Sequence, residues 1–222
     1  IDAITAASNG YAVVIQDVRG RHSSSGDFYT FHNETNDGFD SIDWVASQPW
    51  STGRVGMYGS SYVGATQWLA ARSQHPALAA ICPGVTASDY HEGWAWQGGA
   101  FELAFNLSWS VGPLVQGNWN KLSAIGDADG IKLADIIDFK DNLDSGFGKL
   151  PLFDQSVLNE SLAPYYYDWL RHPEFDDYWK SVSIEDHHQD ISVPAFNIGG
   201  WHDIFLGGTI RNFNGIRTIQ AD

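Results

Sequence analysis

Residues 56–64, Gly-Met-Tyr-Gly-Ser-Ser-Tyr-Val-Gly, decide the fold of this chain. The apolar run at residues 54–58 predicts a strand, and the residues after Ser61 continue with helical spacing until Pro76 stops the pattern. Glycines at the junction allow the strand and the helix to approach closely. The stretch therefore predicts a strand, a tight turn with two serines, and a helix.

The segments on either side repeat this alternation. β-branched and apolar runs at residues 11–15, 78–83 and 191–199 predict strands, whereas residues 36–48 and 206–219 have the spacing of helices. Strands that alternate with helices favour a mostly parallel sheet covered by helices on both faces. The fold class predicted from the pattern is therefore α/β.

The composition and the pattern of the sequence change between residues 88 and 183. This part is rich in Trp, Tyr and Phe and contains no convincing strand, so we interpret it as a mostly helical insertion. The predicted organisation is a first core part at residues 1–87, the insertion at 88–183 and a second core part at 184–222.

Composition and charge exclude several classes of function. The 222 residues carry 12 Lys and Arg against 27 Asp and Glu, and the net charge of -15 argues against nucleic acids and anionic membranes as partners. No apolar run has the length needed to span a bilayer. Asp127-Ala128-Asp129-Gly130 lacks the later ligands of a calcium loop, so we predict a turn there and no metal site.

Ser61 is the better candidate nucleophile of the two serines. In α/β-hydrolases the nucleophile lies on a strained strand-turn-helix junction, and Gly59 supplies the small residue needed two positions earlier. Val63 replaces the second glycine of the usual G-x-S-x-G pattern, and Gly64 follows one residue later. The N–H of Tyr62 is placed to donate to a developing oxyanion. The alternative is that the serines only cap the helix.

Asp203 is the candidate acid, because it follows the strand predicted at residues 191–199. A carboxylate in this position orients the histidine that acts as base. The alternative role for Asp203 is an N-cap of the next helix. No histidine follows Asp203 in this sequence, and His202 is a poor partner because adjacent side chains on an extended turn point apart.

Three stretches resemble the CocE/NonD hydrolases, namely residues 10–20, 53–67 and 199–205. The resemblance covers nearly the whole chain and implies an α/β-hydrolase core with an inserted helical cap. It also implies a serine hydrolase that cleaves an ester or amide bond of a small molecule without a cofactor. In such relatives the residue matching Ser61 forms an acyl-enzyme, that matching Tyr62 contributes the oxyanion N–H, and that matching Asp203 orients the histidine.

The same resemblance implies parts that this sequence does not contain. The histidine is expected after Asp222, a second oxyanion donor from a tyrosine hydroxyl before Ile1, and a jelly-roll domain further on. We therefore interpret the chain as the middle of a larger enzyme.

Three aromatic residues, Trp94, Trp96 and Phe101, resemble the substrate-facing segment of the family and predict contact with an apolar acyl group. The alternative is that they pack in the core of the cap. The acidic cluster with which amino acid ester hydrolases hold a substrate amine is not evident, which disfavours that subclass.

Two other functions stay open. A dipeptidyl-peptidase that cuts after proline needs a site for the amino terminus of its substrate, and no carboxylate cluster indicates one. A non-catalytic binding module is a rival from another class, although the presence of both Ser61 and Asp203 argues against it. The sequence does not specify the oligomeric state.

Overall fold

The computed structural model describes residues 2–126 and 130–220. In chain order its elements are α1 Ala3–Ser8, α2 Glu34–Ser47, β1 Val55–Ser60, α3 Tyr62–Arg72, β2 Leu78–Gly84, β3 Trp96–Gln97, β4 Ala100–Phe101, α4 Leu103–Trp109, α5 Val115–Ala124, α6 Leu133–Asp141, α7 Asp144–Phe147, α8 Pro164–Arg171, α9 Asp177–Lys180 and α10 Leu206–Gln220. The first three residues of the turn predicted at Asp127-Ala128-Asp129-Gly130 lie outside the described ranges.

A parallel sheet positions the candidate site. β1 and β2 pair in parallel, and residues 193–198 run parallel to β2 through bridges between Ile81 and Ala195 and between Gly84 and Ile198. Parallel segments have their carboxyl ends at the same edge of a sheet, which is where α/β folds place their sites. This arrangement confirms the α/β fold class expected from the sequence.

Two predicted strands differ in the structure. The run at residues 11–15 belongs to neither strand ladder, and within the described residues its backbone has no ladder partner, while Tyr11 and Ile15 are 71% and 83% exposed. The prediction of a strand there was wrong because a β-branched run becomes a strand only beside a neighbour. Residues 193–198 pair with β2 only through isolated bridges, since Pro83 of β2 has no N–H to donate between them.

The remaining elements near the sheet match their predictions closely. The helix predicted at residues 36–48 is α2, and the helix predicted after Ser61 is α3. α2 packs so closely on α3 that a Cβ added at Gly38 would lie only 2.5 Å from the Cβ of Ala70. α3 in turn buries Ala65, Trp68 and Leu69 in the core. The two helices therefore form a rigid support behind β1.

About half of the described residues between 88 and 183 are helical, and β3 and β4 form one short antiparallel hairpin. The aromatic core of this part includes Trp94, which stacks on Phe205 just before α10 with ring centroids 4.4 Å apart. Phe31, in the loop before α2, stacks on Tyr90 at 4.0 Å. Aromatic packing thus joins this part to both flanking parts of the chain. No described helix combines the length and hydropathy required to cross a membrane.

Candidate active site

Ser61 occupies a strained turn between β1 and α3. Its backbone has φ 60° and ψ -127°, a conformation that L residues rarely adopt and that clusters at functional sites. The turn is fixed on both sides, because the Ser61 N–H donates to Gly84 O at 2.9 Å and its carbonyl accepts from Ala65 N at 3.0 Å. The serine is exposed, and its side chain makes no capping hydrogen bond to α3. Helix capping therefore does not account for it.

Two glycines explain how the turn forms with Val63 in place of the usual glycine. Gly59 has φ 148°, and a Cβ there would overlap the Cγ1 of Val63. Gly64 lies against β2, where a Cβ would come within 2.9 Å of Gly84 O. The close approach between helix and strand thus occurs at Gly64, one residue later than in the strict pattern.

Gln67 holds this turn from inside the protein. The side chain is fully buried, and its Nε2 donates to Gly59 O at 3.0 Å and to Val63 O at 2.8 Å, while its Oε1 accepts from Cys82 N at 2.9 Å. One side chain therefore satisfies backbone groups on β1, α3 and β2. Its sequence signal is only a polar residue on the otherwise apolar face of a helix.

Tyr62 is anchored at its hydroxyl. The phenol donates to Glu34 Oε1 at 2.6 Å and accepts from Phe31 N at 2.9 Å. Burial raises the pKa of Glu34 to about 7, although the hydrogen bond from Tyr62 and the charge of Arg19 act in the opposite direction. Sequence reasoning missed Glu34, because acidic residues in the first turn of a helix are common without any function.

Asp203 lies at the same edge of the sheet as Ser61, after residues 193–198. β2 separates β1 from residues 193–198, so the spacing of strands places these two segments roughly 10 Å apart, and Asp203 follows in the loop after Ile198. The Asp203 Oδ2 is buried and meets no hydrogen-bond donor among the described residues. That oxygen therefore does not cap α10 and is free to accept a hydrogen bond. His202 is exposed.

The three predicted substrate contacts lie in different surroundings. Trp94 is buried between Phe31, whose ring also stacks on Tyr62 at 5.2 Å, and Phe205, which lies in the loop that carries Asp203 at residues 199–205, here named the acid loop. The indole N–H of Trp96 donates to Trp169 O at 3.1 Å, and Phe101 packs edge-on against Trp96 at 5.2 Å. Of these three residues, only Trp94 contacts both a ring that stacks on Tyr62 and a ring in the loop of Asp203. The substrate role of all three stays a prediction.

Comparison with known proteins gives consistent results. The sequence model of the X-Pro dipeptidyl-peptidase (S15) family matches residues 2–220. Cocaine esterase from Rhodococcus sp. (strain MB1 Bresler) is 34% identical over 213 residues, which is 94% of this chain and 36% of that protein. The chain thus spans about a third of the length of this relative.

Two solved structures share the fold. An α-amino acid ester hydrolase superposes with a TM-score of 0.66 at 23% identity, covering 97% of this chain and 36% of the other. A CocE/NonD family hydrolase from Staphylococcus aureus gives a TM-score of 0.62 at 24% identity, covering 90% and 29%. These likenesses confirm the expected α/β-hydrolase fold.

Proposed function

The chain belongs to the X-Pro dipeptidyl-peptidase (S15) family, and from that premise we propose that it carries the nucleophile and the acid of a serine hydrolase. The observation that supports this most directly is the backbone of Ser61, held at φ 60° with the serine exposed at the carboxyl edge of the sheet. A buried carboxylate oxygen of Asp203 at the same edge is available to orient a base. The proposed reaction is the cleavage of an ester or amide bond.

In the proposed reaction, Ser61 Oγ attacks the carbonyl carbon of the substrate while a histidine takes the hydroxyl proton. Resemblance to the family implies that this histidine follows Asp222. The Tyr62 N–H donates to the resulting oxyanion, and Asp203 accepts from the imidazolium. Collapse of the tetrahedral intermediate releases the alcohol or amine, which takes the proton from the histidine. Water, which gives a proton to the histidine, then attacks the acyl-enzyme, and the carboxylic acid leaves as the histidine returns the proton to Ser61.

The substrate class that we favour is an ester of a small molecule with an apolar acyl group. Trp94 supports this choice, because its ring packs on Phe205 in the loop of Asp203 and on Phe31, whose ring stacks on Tyr62. The family match keeps cleavage after proline as the second candidate. Comparing the turnover of an aryl ester with that of a Xaa-Pro anilide distinguishes the two.

Covalent labelling tests the nucleophile. In the natural full-length protein that carries this sequence, we expect Ser61→Ala to abolish labelling by a fluorophosphonate. Ser60→Ala is the matched control and should retain most of the labelling. Labelling that survives the first substitution and disappears with the second would assign the nucleophile to Ser60. If the wild-type protein is not labelled at all, the non-catalytic binding module becomes the better explanation.

A further inference from the structure

The side chain of Tyr62 is fixed at both ends. Its backbone begins α3 directly after Ser61, and its hydroxyl is bound to Glu34 and to the N–H of Phe31. Between these ends the ring stacks on Phe31 at an angle of 25° and is flanked by Phe28 and Trp109. The side chain therefore links the start of α2 to the turn at residues 59–62, which carries Ser61 and is here named the nucleophile turn.

Glu34, which accepts the hydrogen bond of Tyr62, is itself held in place. It is only 5% exposed, and as the first residue of α2 its N–H donates to Phe31 O at 3.1 Å. The close contact between Gly38 and Ala70 locks α2 against α3, the helix that Tyr62 begins. When Glu34 is ionised, its hydrogen bond from the phenol at 2.6 Å is of the strong, charge-assisted kind. The acceptor and the helix that carries Tyr62 thus move as one unit.

We propose that Glu34 is a positioning residue for the oxyanion donor, which fixes the phenol of Tyr62 and thereby the direction of the Tyr62 N–H. This role rests on the proposed function, in which that N–H stabilises the oxyanion. The peptide plane between Ser61 and Tyr62 carries this N–H, and rotation about ψ of Ser61, which is -127° in the strained conformation of that residue, reorients it. Oxyanion stabilisation depends on donors held at the correct distance, so an anchor at the far end of Tyr62 preserves catalysis.

Substitution of Glu34 in the natural full-length protein tests this role with an aryl ester as substrate. Glu34→Ala removes the acceptor, and we expect kcat to fall about tenfold, part of the loss seen when an oxyanion donor is deleted outright. KM should stay within about twofold, because the interaction strengthens only in the transition state. Glu34→Gln retains a neutral acceptor oxygen and should recover most of kcat. Asp40→Asn, exposed on the same helix, should change neither constant.

Tyr62→Phe provides a second, independent variant, since it keeps the ring and removes only the hydroxyl. We expect a fall in kcat at least as large as for Glu34→Ala, because Tyr62→Phe also removes the acceptor of the Phe31 N–H. The double variant should fall no further than Tyr62→Phe, because that variant already lacks the hydrogen bond to Glu34. Losses that multiply in the double variant would overturn the proposal. An unchanged kcat in either folded single variant, or a loss confined to KM, would also overturn it. If Glu34→Ala does not fold, Tyr62→Phe and Glu34→Gln carry the test.

Failure of this proposal is distinguishable from failure of the proposed function. If fluorophosphonate labelling does not depend on Ser61, the proposed mechanism itself is wrong. If labelling depends on Ser61 and kcat is normal in the folded Glu34→Ala and Tyr62→Phe variants, only the positioning role is wrong.

Discussion

The nucleophile turn and the acid loop share one edge of the sheet, but this chain holds them in different ways. Around Ser61, buried side chains from two helices satisfy the backbone and anchor the neighbouring tyrosine. Around Asp203, Trp201 is 89% exposed and Ile204 is 64% exposed, and only Phe205 packs inward. The geometry of the nucleophile is thus determined by contacts within the described residues, whereas the acid presents a buried oxygen without a donor among them.

The largest expected effect concerns the acid. Asp203→Asn should lower kcat for an aryl ester by about a thousandfold or more, because the amide favours the wrong tautomer of the histidine. The melting temperature should change little, since Oδ2 has no donor to lose among the described residues. Asp176→Asn is the control, because that partly exposed carboxylate pairs with His172 and caps α9 at the Tyr178 N–H, and Asn retains an oxygen that can cap the helix. Full activity of Asp203→Asn would mean that the carboxylate is not the acid.

Substitution of Gly59 tests how tightly the nucleophile turn is packed. Gly59→Ala combines strain at φ 148° with overlap against Val63, and we expect the free energy of unfolding to fall by about 3 kcal/mol. Gly53→Ala is the matched control for Gly59→Ala, because Gly53 also has a positive φ, of 79°, but has open space around it. That control should lose only about 1 kcal/mol. Equal losses in chemical denaturation would show that the contact with Val63 is unimportant.

Gln67→Leu removes the internal support of the turn. It leaves the Cys82 N–H and the Gly59 carbonyl without their partner, so we expect a loss of about 2–3 kcal/mol in the free energy of unfolding. Gln48→Leu, at the end of α2, should cost less than about 0.5 kcal/mol. A similar cost for both substitutions would show that Gln67 supports the nucleophile turn no more than Gln48 supports the end of α2.

The buried carboxylate of Glu34 makes stability depend on pH. Its pKa is raised to about 7 in the folded protein, so the folded state binds the proton more tightly than the unfolded state does. Stability from this group is therefore complete below the unfolded pKa of roughly 4.3 and is lost as pH rises towards 7. We expect melting curves of the wild type to show a decline of about 2 kcal/mol that Glu34→Gln lacks.

The raised pKa of Asp89, to about 6, contributes equally to both proteins in that comparison. The difference between the wild type and Glu34→Gln therefore isolates Glu34. A difference that is constant from pH 5 to pH 8 would contradict the expectation.

The smallest effect on stability is expected at the acid loop. Trp201→Ser should change the free energy of unfolding by less than about 0.5 kcal/mol, because the indole is almost fully exposed.

We expect the 222-residue polypeptide expressed alone to self-associate through Trp201, Phe196 and Ile204, and we expect Trp201→Ser to reduce its light scattering. Trp50→Ser is the control on another face. A soluble monomer with a cooperative melt would contradict this expectation.

The sequence predicted the elements around Ser61 because their signals are local. Apolar periodicity located β1, α2 and α3, and the spacing to Gly59 favoured Ser61 over Ser60. The likenesses to known proteins confirm the fold, whereas the catalytic roles of Ser61, Tyr62 and Asp203 stay predictions.

Non-local contacts could not be predicted in this way. The hydrogen bond of Glu34 spans 28 residues, and that from Cys82 to Gln67 spans 15, so no periodicity records them. The strand expected at residues 11–15 failed for the same reason, because pairing depends on a distant neighbour. A third such contact is that of the buried His188, whose Nε2 lies 2.9 Å from Asn212 Oδ1 across 24 residues.

The packing of the nucleophile turn also limits the order in which mutations can accumulate during evolution. The space that a larger residue at position 59 would need is filled by the side chain of Val63, which a prior substitution can shorten. The space beside Gly64 is instead bounded by the carbonyl of Gly84, a backbone atom that no substitution removes. The steric part of the constraint at position 59 therefore depends on position 63 through epistasis, in addition to the strain that φ 148° imposes on any L residue, whereas the contact at position 64 has no permissive partner.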